Sequence, residues 1–410
     1  MKKHLKIMLS AVLAFFILAG CGFSTASSAE GLVSSPISTS LPEELLPSVS
    51  ERDASGDYDA SEAVTLSPED ELTITEAGVY LLSGTYSSMI VVDAGEEAKV
   101  QLVLENASLS SESGPAVYVR SADKVFLTAA EGTVNTISDG SDYSFTDGET
   151  TPDAAVFSRD DLTINGAGTL TISGNYKHAV VSKDDLVVTA KNLTVSAVST
   201  GLNGKESVAI TGASVAITAG SNGIRSDEII TISGDRVEIK ASEGIEATYV
   251  LISRGDIRVS ASDDGINAAL KSAVYTPTVE ITGGSISVTM GTGDTDGIDS
   301  NGDIIISGGN ISVNAASAFD YDGSASFTGG TVYVNGQQVT ALPNQLMGGG
   351  TGGFSGQSGF GGRPEEQGEF GNNPNGEGFF GHGPRGQGSF SGGRSDPGAF
   401  RPEAGATEQT

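Results

Sequence analysis

The sequence predicts an all-β chain folded as a parallel β-helix, a solenoid of about nine or ten coils, on three observations. First, a short phrase recurs: "SNGIRS" at 221–226, "SEGIEA" at 242–247, "SDDGIN" at 262–267 and "TDGIDS" at 295–300. Second, its glycines keep a coil-length spacing. Gly201, Gly223, Gly244 and Gly265 lie 22, 21 and 21 residues apart, Gly297 follows after 32, and Ala318 after a further 21. Third, the segments between them, such as "DLTINGAGTLTIS", "SVAITGASVAITA" and "DIIISGGNISVNA", alternate with period two, are rich in β-branched residues, and show no helical period. Repeats of 20–25 residues carrying three short strands each are the mark of stacked coils. A propeller would need about 40 residues per repeat, and hairpin signals such as Asn-Gly are sparse.

The chain divides into four parts. Residues 1–20 read as a leader, with the cationic "MKKHLK" followed by the apolar "IMLSAVLAFFILAG". The lone cysteine, Cys21, follows directly, and Leu18-Ala19-Gly20-Cys21 resembles the bacterial lipobox, in which the cysteine is acylated. A lipid anchor on Cys21 at the outer face of the cell membrane is therefore expected. One cysteine also excludes a disulfide framework. Residues 21–60, rich in Ser, Ala, Pro and acid, read as a flexible linker. Residues 61–341 are the solenoid, and 342–410 form a Gly/Phe-rich low-complexity tail.

Within the body, the residue after each recurrent small residue forms an apolar column: Val117, Val156, Val180, Leu202, Ile224, Ile245, Ile266, Ile298 and Phe319. Coils stack about 4.8 Å apart, so this column is expected to fill the core while alternate residues point outward.

Charge decides which partners to expect. The formal charge is −30, and loss of Lys2, Lys3 and Lys6 with the leader takes it to −33. Such a surface repels nucleic acid and anionic lipid, so both are disfavoured as direct partners; a monomer is expected. Towards the C-terminal coils the phrase turns acidic: the slot two after the glycine runs Asn203, Arg225, Glu246, Asn267, Asp299, Asp320. The slot before it runs Thr200, Asn222, Glu243, Asp264, Asp296, Ser317, with Asp263, Asp294, Asn301, Asp303 and Asp322 close by. Like charges stacked on adjacent coils repel. A hard cation with 6–8 oxygen ligands resolves this, and Ca²⁺ suits stacked Asp/Asn turns. The alternative is a set of solvated turns. Zinc and copper are disfavoured, since the chain has three histidines and none near this cluster. "DTDGIDSNGD" lacks the spacing and terminal Glu of an EF-hand.

The stretches "ITEAGVYLLSG", "VVDAGEEAKVQLVLENASL", "AAVFSRDDLTINGAGTLTISGNYKHAVVSKDDL" and "TDGIDSNGDIIISGG" resemble a bacterial family of extracellular carbohydrate-binding domain proteins, over roughly residues 58–340. The resemblance implies a right-handed parallel β-helix similar to polysaccharide lyases, bound calcium, and binding of cellulose or acidic pectin-like polysaccharide. Its calcium positions carry over most directly to "DDGIN" and "TDGIDSNGD", whereas "NGIRS" and "SEGIEA" depart from the family's "DGI" pattern. It implies no firm enzymatic activity.

Three functions follow as expectations. The first is a non-catalytic, surface-anchored binder with a polysaccharide ligand. The second is a calcium-dependent, pectate-type lyase in which Lys271, assisted by Arg254, removes the proton beside a uronate carboxylate. The third is a structural or adhesive protein with calcium as a staple. Absence of tryptophan weakens any flat aromatic platform for crystalline cellulose. Nothing fixes two carboxylates at the separation glycoside hydrolysis requires.

Overall fold

The period-two pattern becomes three stacked columns of strands. The structure, a computed structural model, describes residues 41–344 apart from 69–71, 149 and 294. Among these residues one column, here the first face, contains eleven parallel strands running from Thr73–Ile74 through His178–Ser182 to Ser317–Tyr321. In the coil of His178–Ser182 the chain continues to a second face at Asp185–Val188 and a third at Asn192–Ala197 before returning. Each strand pairs in parallel with its counterpart one coil away. The body is a parallel β-solenoid of eleven turns, slightly more than the nine or ten expected. The extra coils are N-terminal: Thr73–Ile74 and Ile90–Asp93 precede Val117 on the first face and lack the recurrent phrase.

The apolar column is present in register. Val117, Val156, Val180, Leu202, Ile224, Ile245, Ile266, Ile298 and Phe319 pair rung by rung, and all are buried. Against them lie second-face residues such as Leu186, Val208 and Ile230, and third-face residues such as Val195, Ile217 and Ile239. Each such side chain contributes about 1.5–3 kcal/mol by burial. The recurrent glycine has a packing cause. A Cβ at Gly223 would lie 2.3 Å from Cγ2 of Ile239, and one at Gly297 would lie 2.2 Å from Cγ1 of Val313. The third-face side chain already occupies that space.

Irregular pieces fall where the spacing breaks. Residues 140–153 leave the stack between Val134–Asp139 and Ala154–Ser158, and residues 269–277 leave it between Asp264–Ala268 and Thr278–Ile281. The second excursion accounts for the long step from Gly265 to Gly297. At the far end Asn335 (φ 49°) and Gly336 (φ 79°) turn the chain so that Gln337–Val339 pairs antiparallel with Thr331–Val334. That Asn-Gly hairpin covers the edge of the third face, which would otherwise offer unpaired backbone groups.

The described part of the expected linker is built into the body. Residues 41–60 run along the second face, and Glu51–Ser55 form a short helix capped by Ser50. Asp53, fully buried, meets Lys124 Nζ at 2.8 Å and accepts from Thr163 Oγ1, while Asn165 and Thr189 bond the helix's carbonyls. Arg52 stacks 4.4 Å over Phe126, and Tyr275 donates to the carbonyl of Leu45. Composition concealed this because the contacts are polar and spaced irregularly. Leu342, assigned to the tail, also packs into the core. Cys21, the leader and the tail beyond 344 lie outside the described residues.

Candidate functional site on the first face

The outward column of the first face changes character along the stack. It reads Val91, Tyr118, Phe157, Val181, Asn203, Arg225, Glu246, Asn267, Asp299, Asp320, each in register with the next. The first four are apolar or aromatic and buried, and Phe145 of the 140–153 excursion packs against their cluster. Phe145 packs edge-on to Tyr118 with centroids 5.5 Å apart. Asp147 accepts from Tyr118 at 2.8 Å and pairs with Arg120 at 2.8 Å and Arg159 at 3.1 Å.

In the C-terminal coils the acids converge as the spacing implied. Asp264 stands opposite Asp296, Asn267 opposite Asp299, and Asp299 opposite Asp320. Burial, then the charges of Asp263 and Asp296, pushes Asp264 up to about 6. Burial, then Asp264, Asp296 and Asp320, pushes Asp299 up to about 7. Glu243 rises to about 7, through burial and then Glu246, Asp264 and Asp263. Asn267 donates through Nδ2 to Asp264 at 3.0 Å, and its Oδ1 receives no hydrogen bond. That Oδ1, Thr295 Oγ1 and Ser317 Oγ are buried without a hydrogen-bond partner. Buried polar atoms are nearly always satisfied, so three orphans on adjacent rungs mark a place short of a cationic or donor group. Oxygens of Asp264, Asn267, Asp296, Asp299 and Asp320 are of the kind a hard cation takes, but among the described residues only Asp161, Asp184 and Asp185 bring oxygens of three carboxylates within 4.8 Å of one another.

Other expected ligands are placed differently. Asn301 and Asp322 follow the first-face strands at the exit corner, and Asn301 accepts from the Leu270 N–H at 3.4 Å. Asp303 begins the second-face strand Asp303–Ile306 and is engaged by Ser324 at 2.7 and 2.9 Å. The corner carries it away from the rung, so it is not part of the cluster. Asp263 is exposed and acts on the cluster through charge, and Asp294 lies outside the described residues.

Lys271 is not an exposed lysine on a loop. The excursion folds it back so that Nζ lies 2.5 Å from Glu246 Oε1, with the side chain 19% exposed. Backbone N–H groups of Lys271 and Ser272 fix the turn by donating to Thr248 Oγ1. Arg254 sits at the corner between the second and third faces, bonded to the Ser233 carbonyl, and cannot assist Lys271.

A second acidic set escaped the sequence reading. Asp161, Asp184 and Asp185 place carboxylate oxygens within 4.8 Å of one another where the first face turns into the second. Burial, then Asp185 and Asp184, lifts Asp161 to about 6. Its signal was present in "SRDDL", "SKDDL", "GKESV" and "SDEII", which share one slot of the repeat.

The model of the family described as "Carbohydrate-binding domain-containing protein" matches residues 68–338. A carbohydrate-binding domain-containing protein of Acetivibrio thermocellus is 37% identical over 131 residues, 32% of this chain and 46% of the relative. The match thus spans about half the length of that curated relative. A solved polysaccharide lyase-like protein from C. thermocellum, as a gadolinium derivative, aligns over 67% of this chain and 87% of its own, with 29% identity and a TM-score of 0.40. With most of the solenoid matched by one family model, the chain belongs to the carbohydrate-binding domain-containing protein family.

Proposed function

We propose that this protein is a non-catalytic, cell-surface binder of polysaccharide that uses calcium on the acidic rungs of its first face. The observation that carries the reading is the coincidence, on neighbouring rungs, of mutually repelling carboxylates with the orphaned oxygens of Asn267, Thr295 and Ser317. Asp264, Asn267, Asp296, Asp299 and Asp320 would hold the ion. Bound calcium would supply positive charge through which an anionic chain could settle on an anionic protein. Membership of the carbohydrate-binding family supports a glycan ligand, with cellulose-like and acidic pectin-like chains as the candidates.

The lipid anchor on Cys21 would hold this face outside the cell, where calcium is abundant enough to fill weak sites. Cys21→Ser should move the protein out of the membrane fraction. A lyase reading needs the lone pair of Lys271, yet that nitrogen is engaged as a donor to Glu246. Polygalacturonate should therefore be retained by immobilised protein more tightly in calcium than in chelator, and yield no absorbance from unsaturated products. Retention indifferent to chelator would refute the calcium bridge. Unsaturated product formation that Lys271→Ala abolishes would make the protein a lyase.

A further inference from the structure

Between the covered apolar rungs and the acidic rungs lies a groove of about 390 Å³ whose charge runs against that of the whole chain. Four cations, Lys177, Lys183, Lys205 and Arg225, line it against two carboxylates, Asp153 and Asp227. This is in a protein with 22 Lys and Arg against 52 acids. Lys177 is answered by Asp153 at 2.6 Å. Among the described residues, Lys183 and Lys205 have no carboxylate within ion-pair distance, although acids are plentiful. Lys183 instead rests 5.2 Å over the Phe157 ring.

The register explains why these charges gather. Ser182, Gly204 and Ser226 are successive rung partners, so Lys183 and Lys205, which follow the first two, occupy one column about 4.8 Å apart. Arg225 extends the outward column from Asn203. Its guanidinium is only loosely held, 3.7 Å from Glu246 and 3.9 Å from Asp227, so its donor fork remains available. The floor is polar and preorganised: Thr200 is buried and donates its N–H to His178 Nδ1, while Asn222 is fixed by Glu243 and Glu246.

We propose that Lys183, Lys205 and Arg225 form an anion subsite that grips a carboxylate or sulfate ester of a glycan directly, without calcium. This rests on the glycan-binding reading but not on the metal. Two ammonium groups one coil apart bracket an oxyanion, and the arginine fork takes a second group further along the chain. The two halves of the first face then divide the work. The groove holds anionic groups by direct charge, and the acidic rungs hold them through a metal. An extended chain laid along the stack meets both.

The test is binding in the presence of chelator. Three probes are used: an oligogalacturonate, a sulfated oligosaccharide and a neutral cello-oligosaccharide. The wild-type protein should retain one or both anionic probes, with affinity falling as salt rises. Which of them is retained tells carboxylate from sulfate. The double variant Lys183→Gln/Lys205→Gln should weaken that binding about tenfold or more, and Lys183→Arg/Lys205→Arg should preserve it. Affinity for the neutral probe and the calcium-induced rise in melting temperature should be the same in wild type and the Gln variant. Absence of chelator-resistant binding of either anionic probe, or equal binding by the Gln variant, would overturn the subsite. Failure of the calcium reading would show separately, as a wild-type melting temperature indifferent to calcium.

Discussion

The two ends of the first face solve one problem in opposite ways. At the N-terminal end, the outward column carries Tyr118 and Phe157, and the 140–153 excursion covers them. The acid that arrives with that excursion, Asp147, is answered by Arg120 and Arg159 from the protein itself. At the C-terminal end the same column carries Asn267, Asp299 and Asp320, and among the described residues no excursion supplies a counter-charge to Asp299. Lys271 reaches only as far as Glu246. The comparison teaches that the stack, once its core is filled, accepts almost any outward side chain. Where the protein compensates its own charge the face is closed, and where it does not, carboxylates such as Asp264 and Asp299 hold their protons more tightly or leave the face open to a counter-ion.

The largest effect should come from beneath both regions. Ile245→Asp would bury an unpaired charge at a fully buried rung and cost several kcal/mol. Thermal melting checks this, and a variant as stable as wild type would break the shared core on which the comparison stands. Next, calcium should stabilise the body by about 2.7 kcal/mol at a hundredfold excess over Kd. Asp264→Asn and Asp299→Asn should lose most of that gain. Without calcium they should melt no lower than wild type, because each removes a carboxylate that its neighbours repel.

A smaller loss, about 1–2 kcal/mol, is expected for Asp147→Ala, which removes the acceptor of Tyr118, Arg120 and Arg159. Its calcium response should be unchanged, which separates the two ends. The pH response sharpens the same contrast. Asp264 and Asp299 bind their protons more tightly folded than unfolded. Without calcium, the stability this lends is fully present below about pH 4 and is lost as pH rises through about 6 to 7. Asp147 has the opposite sign. Its bonds to Tyr118 and Arg120 hold it below its ordinary value, so its contribution is present above about pH 4 and lost in acid. Chemical denaturation of wild type, Asp299→Asn and Asp147→Ala across pH 3 to 8 should show differences of opposite slope.

The core was legible in the sequence because a solenoid repeats one local rule. Ile224, Ile245 and Ile266 meet simply because they follow glycines 21 residues apart. The acid rungs were legible for the same reason, since equal slots become neighbours. Residues at corners and excursions were not. Asp303 looked like a ligand from its proximity in sequence, but the corner after Ser300 sends it to another face. The place of Lys271 was not legible either, because nothing in "NAALKSAVYTP" states that Thr248 Oγ1 will turn the chain back towards Glu246. The docking of Asp53 onto Lys124 and Thr163 joins residues 71 and 110 positions apart, beyond any periodic signal.

A calorimetric titration of calcium into the purified protein decides whether the acidic rungs hold calcium. Saturable binding is expected at neutral pH and should weaken as pH falls through about 6, where Asp264 and Asp299 take up protons. The Asp264→Asn/Asp299→Asn double variant should lose that binding, and Asp147→Ala should keep it. Saturable calcium binding that survives the double variant would place the ion elsewhere. A flat titration of the wild type would return the rungs to solvated turns.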